Sequence, residues 1–269
     1  MIEALKQQFK PDMPSEEKLN KTREFLQILA LKTLADNNAF DNLAFTGGTA
    51  LRILHNIRRY SEDLDFSLVG RKGYDFTAVN AGLLRSFKLN GLDVESKPKI
   101  EETVHSAFLK FSGLPHKLGL SMQKEQALFV KLEVDTNPPE GGKTESAIIN
   151  KTYLFSVKHF DLPSMFATKL HACFYRRYVK GRDFYDFLWH LGSKTRPNYT
   201  LFNNAVRQTE GKSSGIDEAN LKDFLLKNIK RIDLNAARKD VEKFLEDKSE
   251  LNLFTSELIQ QAIVSAYSG

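Results

Sequence analysis

Three kinds of hydrophobic spacing divide the chain. From Ser15 to Asn37 the apolar residues Leu19, Phe25, Leu26, Ile28, Leu29, Leu31 and Leu34 recur at helical intervals behind a serine and two acids, which predicts an amphipathic helix. Leu43–Thr46 is a short apolar run that enters Gly47-Gly48, followed by a helix over about Thr49–Ile57. Asp63–Leu68 alternates, with Leu64, Phe66 and Leu68 on one face of a strand and Asp63 and Asp65 together on the other. Phe76–Leu89 reads as a helix, Asn90-Gly91 as a turn and Phe108–Phe111 as a short strand. Ala127–Asp135 is the clearest later strand, with Leu128, Val130, Leu132 and Val134 on one face and Lys131, Glu133 and Asp135 on the other.

After the loop Asn137–Gly142 the spacing turns helical. Met165, Phe166, Leu170, Cys173 and Phe174 follow Pro163, and Phe184–Leu191 forms a second apolar helix. Lys194–Ser214 is polar with scattered apolar positions, and further helices are expected near 217–231, 233–247 and 253–266. The expected fold class is therefore α+β: a mixed-sheet domain over 1–150 and a helical domain over 151–269.

Composition narrows the setting. No run of about 18 apolar residues is present, and the N-terminal segment lacks the apolar core of a signal peptide. A single cysteine, Cys173, excludes an internal disulfide framework and fits a reducing compartment, so a cytoplasmic protein is expected, with no membrane partner. The net charge of +5 is unevenly placed. Between Lys151 and Arg196 nine Lys or Arg face three Asp, a surplus of six positive charges that suits a phosphate-bearing partner. The six histidines show no zinc-ligand spacing.

Chemistry concentrates between Phe45 and Leu68. Gly47 and Gly48 let backbone amides approach an anion at a helix start, and Thr49 adds a hydroxyl; the plainer reading is a tight turn with a threonine cap. Asp63 and Asp65 repel each other unless a cation joins them, and oxygen ligands suit a divalent ion such as Mg²⁺ or Mn²⁺; the plainer reading is a polar outer face. Glu133 is the candidate for a third carboxylate, with Asp135 on the same face as its competitor. Amides for phosphates and carboxylates for a metal are the two requirements of phosphoryl transfer.

Gly47-Gly48-Thr49, followed after thirteen residues by Asp63-Leu64-Asp65, resembles the signature of the nucleotidyltransferase superfamily. The wording Gly-Gly-Thr-Ala-Leu, then Arg-x-Ser-x-Asp-Leu-Asp-Phe, resembles more closely the AbiEii family, which includes the MenT-type toxins. Lys169, Arg176, and Lys180-Gly181-Arg182-Asp183 with Tyr185-Asp186 match that family's second block. The matching stretches are about 43–68 and 165–187.

The resemblance implies an N-terminal nucleotidyltransferase fold and a helical domain completing the cleft. It implies NTP as substrate and Asp63, Asp65 and Glu133 as metal ligands. Gly47, Gly48, Thr49, Lys169, Arg176 and Arg182 would contact the nucleotide, with Asp63, Asp65, Lys169 and Asp183 catalytic. Lys169 and Arg176, seven apart, would share a helix face; Asp183 would orient one of those cations or assist proton removal, or simply cap its helix. Ser61 matches a serine that an antitoxin kinase phosphorylates in some such toxins, although a plain strand-edge hydroxyl is the favoured reading. The implied partners are an RNA acceptor, a tRNA 3′ end foremost, and a cognate antitoxin such as a winged-helix regulator. A small-molecule or protein acceptor, or a module that binds RNA without turnover, are the alternatives.

Overall fold

The computed structural model describes residues 1–267. Contacts divide them into two units that interleave along the chain. The first comprises Met1–Leu54, Tyr60–Asn137 and Ser146–His159; the second comprises His55–Arg59, Pro138–Glu145 and the chain from Phe160 onward.

The first unit is built on a mixed seven-stranded sheet. In chain order it runs α1 (Ile2–Lys6), α2 (Ser15–Asp36), β1 (Leu43–Thr46), α3 (Gly47–His55), β2 (Asp63–Leu68), α4 (Phe76–Leu89), β3 (Pro98–Ile100), β4 (Val104–Ser112), α5 (Leu114–Lys117), β5 (Ala127–Asp135), β6 (Thr144–Asn150) and β7 (Leu154–Phe160). The sheet order is β3-β4-β5-β2-β1-β7-β6. β2 pairs antiparallel with β1 and parallel with β5, which β4 joins antiparallel. Alternation decides which face is covered: Leu64, Phe66, Leu128, Val130, Leu132 and Val134 are all buried. α2 packs against β5 and α4, and α4 against β3 and β4.

The long helix begins one residue after Pro14, so Ser15 is its first residue and not its cap. β4 extends the expected Phe108–Phe111 segment back to Val104. β3, β6 and β7 lie where the apolar pattern predicted no strand; β6, with its sequence Thr-Glu-Ser-Ala-Ile-Ile-Asn, is mostly exposed, so it has no buried face to write into the sequence.

The second unit is helical: α6 (Leu162–Tyr175), α7 (Gly181–Gly192), α8 (Tyr199–Glu210), α9 (Leu221–Ile229), α10 (Leu234–Val241) and α11 (Ser256–Ala266). α6 starts as its sequence demands, with Pro163 in the first turn and Asp161 accepting from the Ser164 N–H at 2.9 Å. α7 packs against α6, α10 and α11. Gly181 opens α7 where a Cβ would stand 2.8 Å from the Ala237 carbonyl carbon, so only glycine admits that crossing. α8 occupies the polar stretch, burying Leu201, Phe202, Ala205 and Val206. Among the described residues no helix is long and apolar enough to cross a membrane.

Candidate functional site

Strand register assembles the acids of the first unit. In β2 and β5, Asp63 stands beside Lys131, Asp65 beside Glu133 and Ser67 beside Asp135. All six side chains therefore share the sheet face opposite the core. Glu133 is the direct neighbour of Asp65. Asp135 lies one pleat further along, where its carboxylate accepts from the Asn137 N–H at 2.9 Å and burial raises its pKa.

A cation already stands among these acids. The Lys131 ammonium donates to Glu133. Burial pulls the Lys131 pKa down, but the bond to Glu133 and the charges of Glu133, Asp63 and Asp65 outweigh it and hold the pKa above its ordinary value. Sequence reasoning left Lys131 as an unremarkable outer-face residue; its place opposite Asp63 is a property of the register. Among the described residues, no group of three or more His, Cys, Asp or Glu is set closely enough to hold a metal ion by itself. Three carboxylates gathered round an ammonium are nonetheless the donor chemistry that suits a hard divalent cation.

The glycine turn shapes this face. Gly47 has φ of +77°, and a Cβ there would stand 2.9 Å from the Asp65 Cβ and 3.0 Å from its Cγ. Backbone conformation and proximity to a carboxylate both demand glycine at this position. Thr49 is fully buried, and its hydroxyl donates to the Asp63 carbonyl, tying α3 to the start of β2. Thr46 is the register partner of Asp65, and its hydroxyl is buried with no hydrogen-bond partner among the described residues. Ser61, half-buried, precedes β2 by two residues, and its carbonyl accepts from Gln27 Nε2 at 3.0 Å.

In the second unit the expected nucleotide-binding cations meet acids. Lys169 Nζ donates to Asp183 Oδ1 at 2.9 Å and pairs with Asp186 Oδ2 at 2.8 Å. Asp186 also receives both Nε and Nη2 of Arg59 at 2.6 Å. Arg176 completes the row by donating to Asp183. Charges thus alternate along Arg59, Asp186, Lys169, Asp183 and Arg176, with one more cation than anion. Arg59 and Asp186 are fully buried, whereas the Arg176 side chain keeps 32% of its surface exposed.

The electrostatics follow from the row. Burial pushes the carboxyl pKa values of Asp183 and Asp186 up, but the surrounding cations overcome it and leave both depressed. Burial likewise opposes the charge on Lys169, and Asp183 and Asp186 overcome it, raising its pKa. Cys173 lies in the same helix with its thiol pKa pushed up by burial, a packed and unreactive group.

One detail departs from the helical-spacing expectation. Arg176 is the residue after α6, with extended backbone (φ −75°, ψ 142°), so it does not share a helix face with Lys169; its guanidinium crosses to Asp183 instead. The Arg182 guanidinium lies over the Phe244 ring at 4.2 Å. Arg59 and Asp186 were missed as a site pair, because 127 residues separate them. Their signal in the sequence is that each belongs to the family wording, Arg59 opening Arg-x-Ser-x-Asp-Leu-Asp-Phe and Asp186 closing Tyr185-Asp186.

Comparison with known proteins identifies the family and the fold. The model of the family described as nucleotidyl transferase AbiEii toxin, type IV TA system, matches residues 29–261. JHP933 from Helicobacter pylori shares the fold at 20% identity and a TM-score of 0.55, over 93% of this chain and 94% of its own. A proposed nucleotidyltransferase from H. pylori is similar, at 20% identity and a TM-score of 0.53, over 92% of this chain and 96% of its own. A search of curated proteins finds no match. A family match spanning both the acid-bearing strands and the cation-bearing helices places the chain among the AbiEii nucleotidyltransferase toxins of type IV toxin–antitoxin systems.

Proposed function

We propose that this nucleotidyltransferase uses a divalent metal to transfer NMP from an NTP to the 3′ end of an RNA, a tRNA foremost, and that a cognate antitoxin such as a winged-helix regulator opposes it. The observation that carries the reading is the gathering of Asp63, Asp65 and Glu133 round the Lys131 ammonium, on the face that Gly47 keeps open. Asp63, Asp65 and Glu133 would hold the cation, Mg²⁺ or Mn²⁺. When bound, such an ion neutralises phosphate oxygens and lowers the pKa of a coordinated hydroxyl.

The chain's own residues supply the rest. Gly47 and Gly48 offer amides to the triphosphate. Thr49 fixes the backbone of Asp63, acting as a positioning residue. Arg176, partly exposed, offers a forked contact to phosphate, while Asp183, itself held by Lys169, keeps it in place. Arg182 adds a second guanidinium. The depressed pKa of Asp183 makes it a poor proton acceptor, so its role is to orient cations. The acceptor hydroxyl gives up its proton to solvent and forms a bond to the α-phosphorus, the bond from that phosphorus to the oxygen it shares with the β-phosphate breaks, and pyrophosphate leaves.

The test incubates the protein with Mg²⁺ and each labelled NTP, together with total RNA or with protein extract. Label is expected in RNA of tRNA size, with Asp63→Ala abolishing it and chelation by EDTA doing the same. Label confined to protein overturns the RNA acceptor; undiminished transfer by Asp63→Ala overturns the assignment of the carboxylates.

A further inference from the structure

Of the 20 phenylalanines, only Phe108 and Phe129 are exposed, at 55% and 46%. They lie on adjacent strands and on the same face. In the β4–β5 ladder Phe108 stands opposite Lys131, and Lys110 stands opposite Phe129. The two rings are therefore diagonal neighbours, within reach of each other, and each is paired across the ladder with a lysine. The Lys131 ammonium lies 5.8 Å from the centre of the Phe108 ring. Across the next strand pair Lys131 is the neighbour of Asp63. The rings thus begin about 10 Å, two strand spacings, from the acid that the proposed reaction uses.

This pattern needs a reason. The other outward positions of β5 from Lys131 on are Lys131, Glu133 and Asp135, as expected for a solvated face. A protein-docking core would cluster apolar side chains and exclude lysine. Here flat rings alternate with cations, the arrangement that single-stranded nucleic acid uses: bases stack on rings while ammonium groups meet the phosphates between them. The exposed ion pair of Lys110 with Glu95, at 2.5 Å, is screened by solvent and readily exchanged for phosphate.

We infer that Phe108 and Phe129, with Lys110 and Lys131, form a stacking platform for the unpaired bases of an RNA 3′ end and lead its terminal hydroxyl toward the Asp63 face. The inference rests on the RNA acceptor proposed above and adds how the acceptor is held. Only unpaired bases expose their faces, so the platform selects a single-stranded end over a blunt duplex.

The test measures fluorescence anisotropy of a labelled short single-stranded oligoribonucleotide with a free 3′ hydroxyl, and of a blunt duplex of the same sequence. The full chain is compared with Phe108→Ala, Phe108→Leu, Phe108→Tyr and Phe129→Ala. Phe108→Ala and Phe108→Leu are each expected to weaken single-strand binding roughly 5- to 150-fold, the worth of one stacked base, with Phe129→Ala in the same direction. Phe108→Tyr, which keeps the ring, retains affinity, and duplex binding is unchanged by all four. Phe108→Leu preserves size and apolarity, so its loss cannot be assigned to a damaged fold. Wild-type affinity in Phe108→Leu, with transfer to RNA intact, overturns the platform and leaves the enzymatic reading standing. A wild-type protein that transfers NMP but does not bind the oligonucleotide also overturns the platform alone; one that does neither overturns both.

Discussion

Replacing Gly47 by alanine tests how closely the turn and the acids are coupled. The change adds one methyl group at a residue with φ of +77°. Forcing an L-residue into that left-handed region costs about 1–2 kcal/mol. The new Cβ would also stand 2.9 Å from the Asp65 Cβ. The β2 backbone is held on both sides, by Thr46 in β1 and Glu133 in β5; rotation of the Asp65 side chain relieves the contact to its Cγ, whereas the contact to its Cβ needs a shift of the Gly47 turn, and both changes move the carboxylate relative to that turn. A displacement near 1 Å at a reacting group costs on the order of 100-fold in rate. Gly73→Ala is the control: its φ is +78°, but nothing lies within 4 Å of the added methyl. Both variants should melt lower by about 2–8 °C. In the labelled-NTP transfer assay at 25 °C, only Gly47→Ala should lose about two orders of magnitude. Equal activity of the two variants would refute the argument that glycine keeps Asp65 in place.

Three other predictions concern the second unit. Asp186→Ala leaves the buried Arg59 guanidinium without its bidentate partner and removes one partner of Lys169, and should cost about 3–5 kcal/mol in urea unfolding. Arg59→Met combined with Asp186→Leu should cost less than the two single changes added together, since each single change strands the buried charge of its partner and the double variant removes both, with Lys169 keeping Asp183; additive losses would show that the two residues act independently. His190 is buried, neither ring nitrogen has a partner among the described residues, and burial lowers its pKa to about 3. An unfolded histidine titrates near 6.5, so between these values the unfolded chain binds a proton that the folded one refuses, and stability falls as pH drops. His190→Leu should flatten that fall between about pH 6.5 and 4; below pH 4 both proteins should lose stability further as the depressed carboxyls of Asp183 and Asp186 protonate. Parallel curves for the two proteins above pH 4 would contradict the assignment.

How much could be read from the chain depended on whether a feature was local. Helix and strand spacing marked α2, α4, β2, β5, α6 and α7, because each buries one face against a core and the apolar residues must recur accordingly. β6 and β3 are mostly exposed and carry no such recurrence, so nothing in their composition separates them from loop. α8 does bury an apolar stripe, but a short one inside a polar segment. The contact units also interleave: residues 55–59 and 138–145 belong with the helices and 146–159 with the sheet, a division that no single boundary expresses.

The family wording and the alternation of Asp63-Leu64-Asp65 were sufficient, without coordinates, to identify a nucleotidyltransferase and to put two acids on one face of a strand. Periodicity within six residues determines that, since side chains on a strand must alternate. Which groups meet those acids was decided by tertiary structure. The parallel register of β2 with β5 sets Glu133 and Lys131 beside them, and the burial of Asp186 draws Arg59 and Lys169 into one ionic row. Register and burial arise from pairings between distant segments, whose free energies depend on the whole core and leave no mark at the residues themselves.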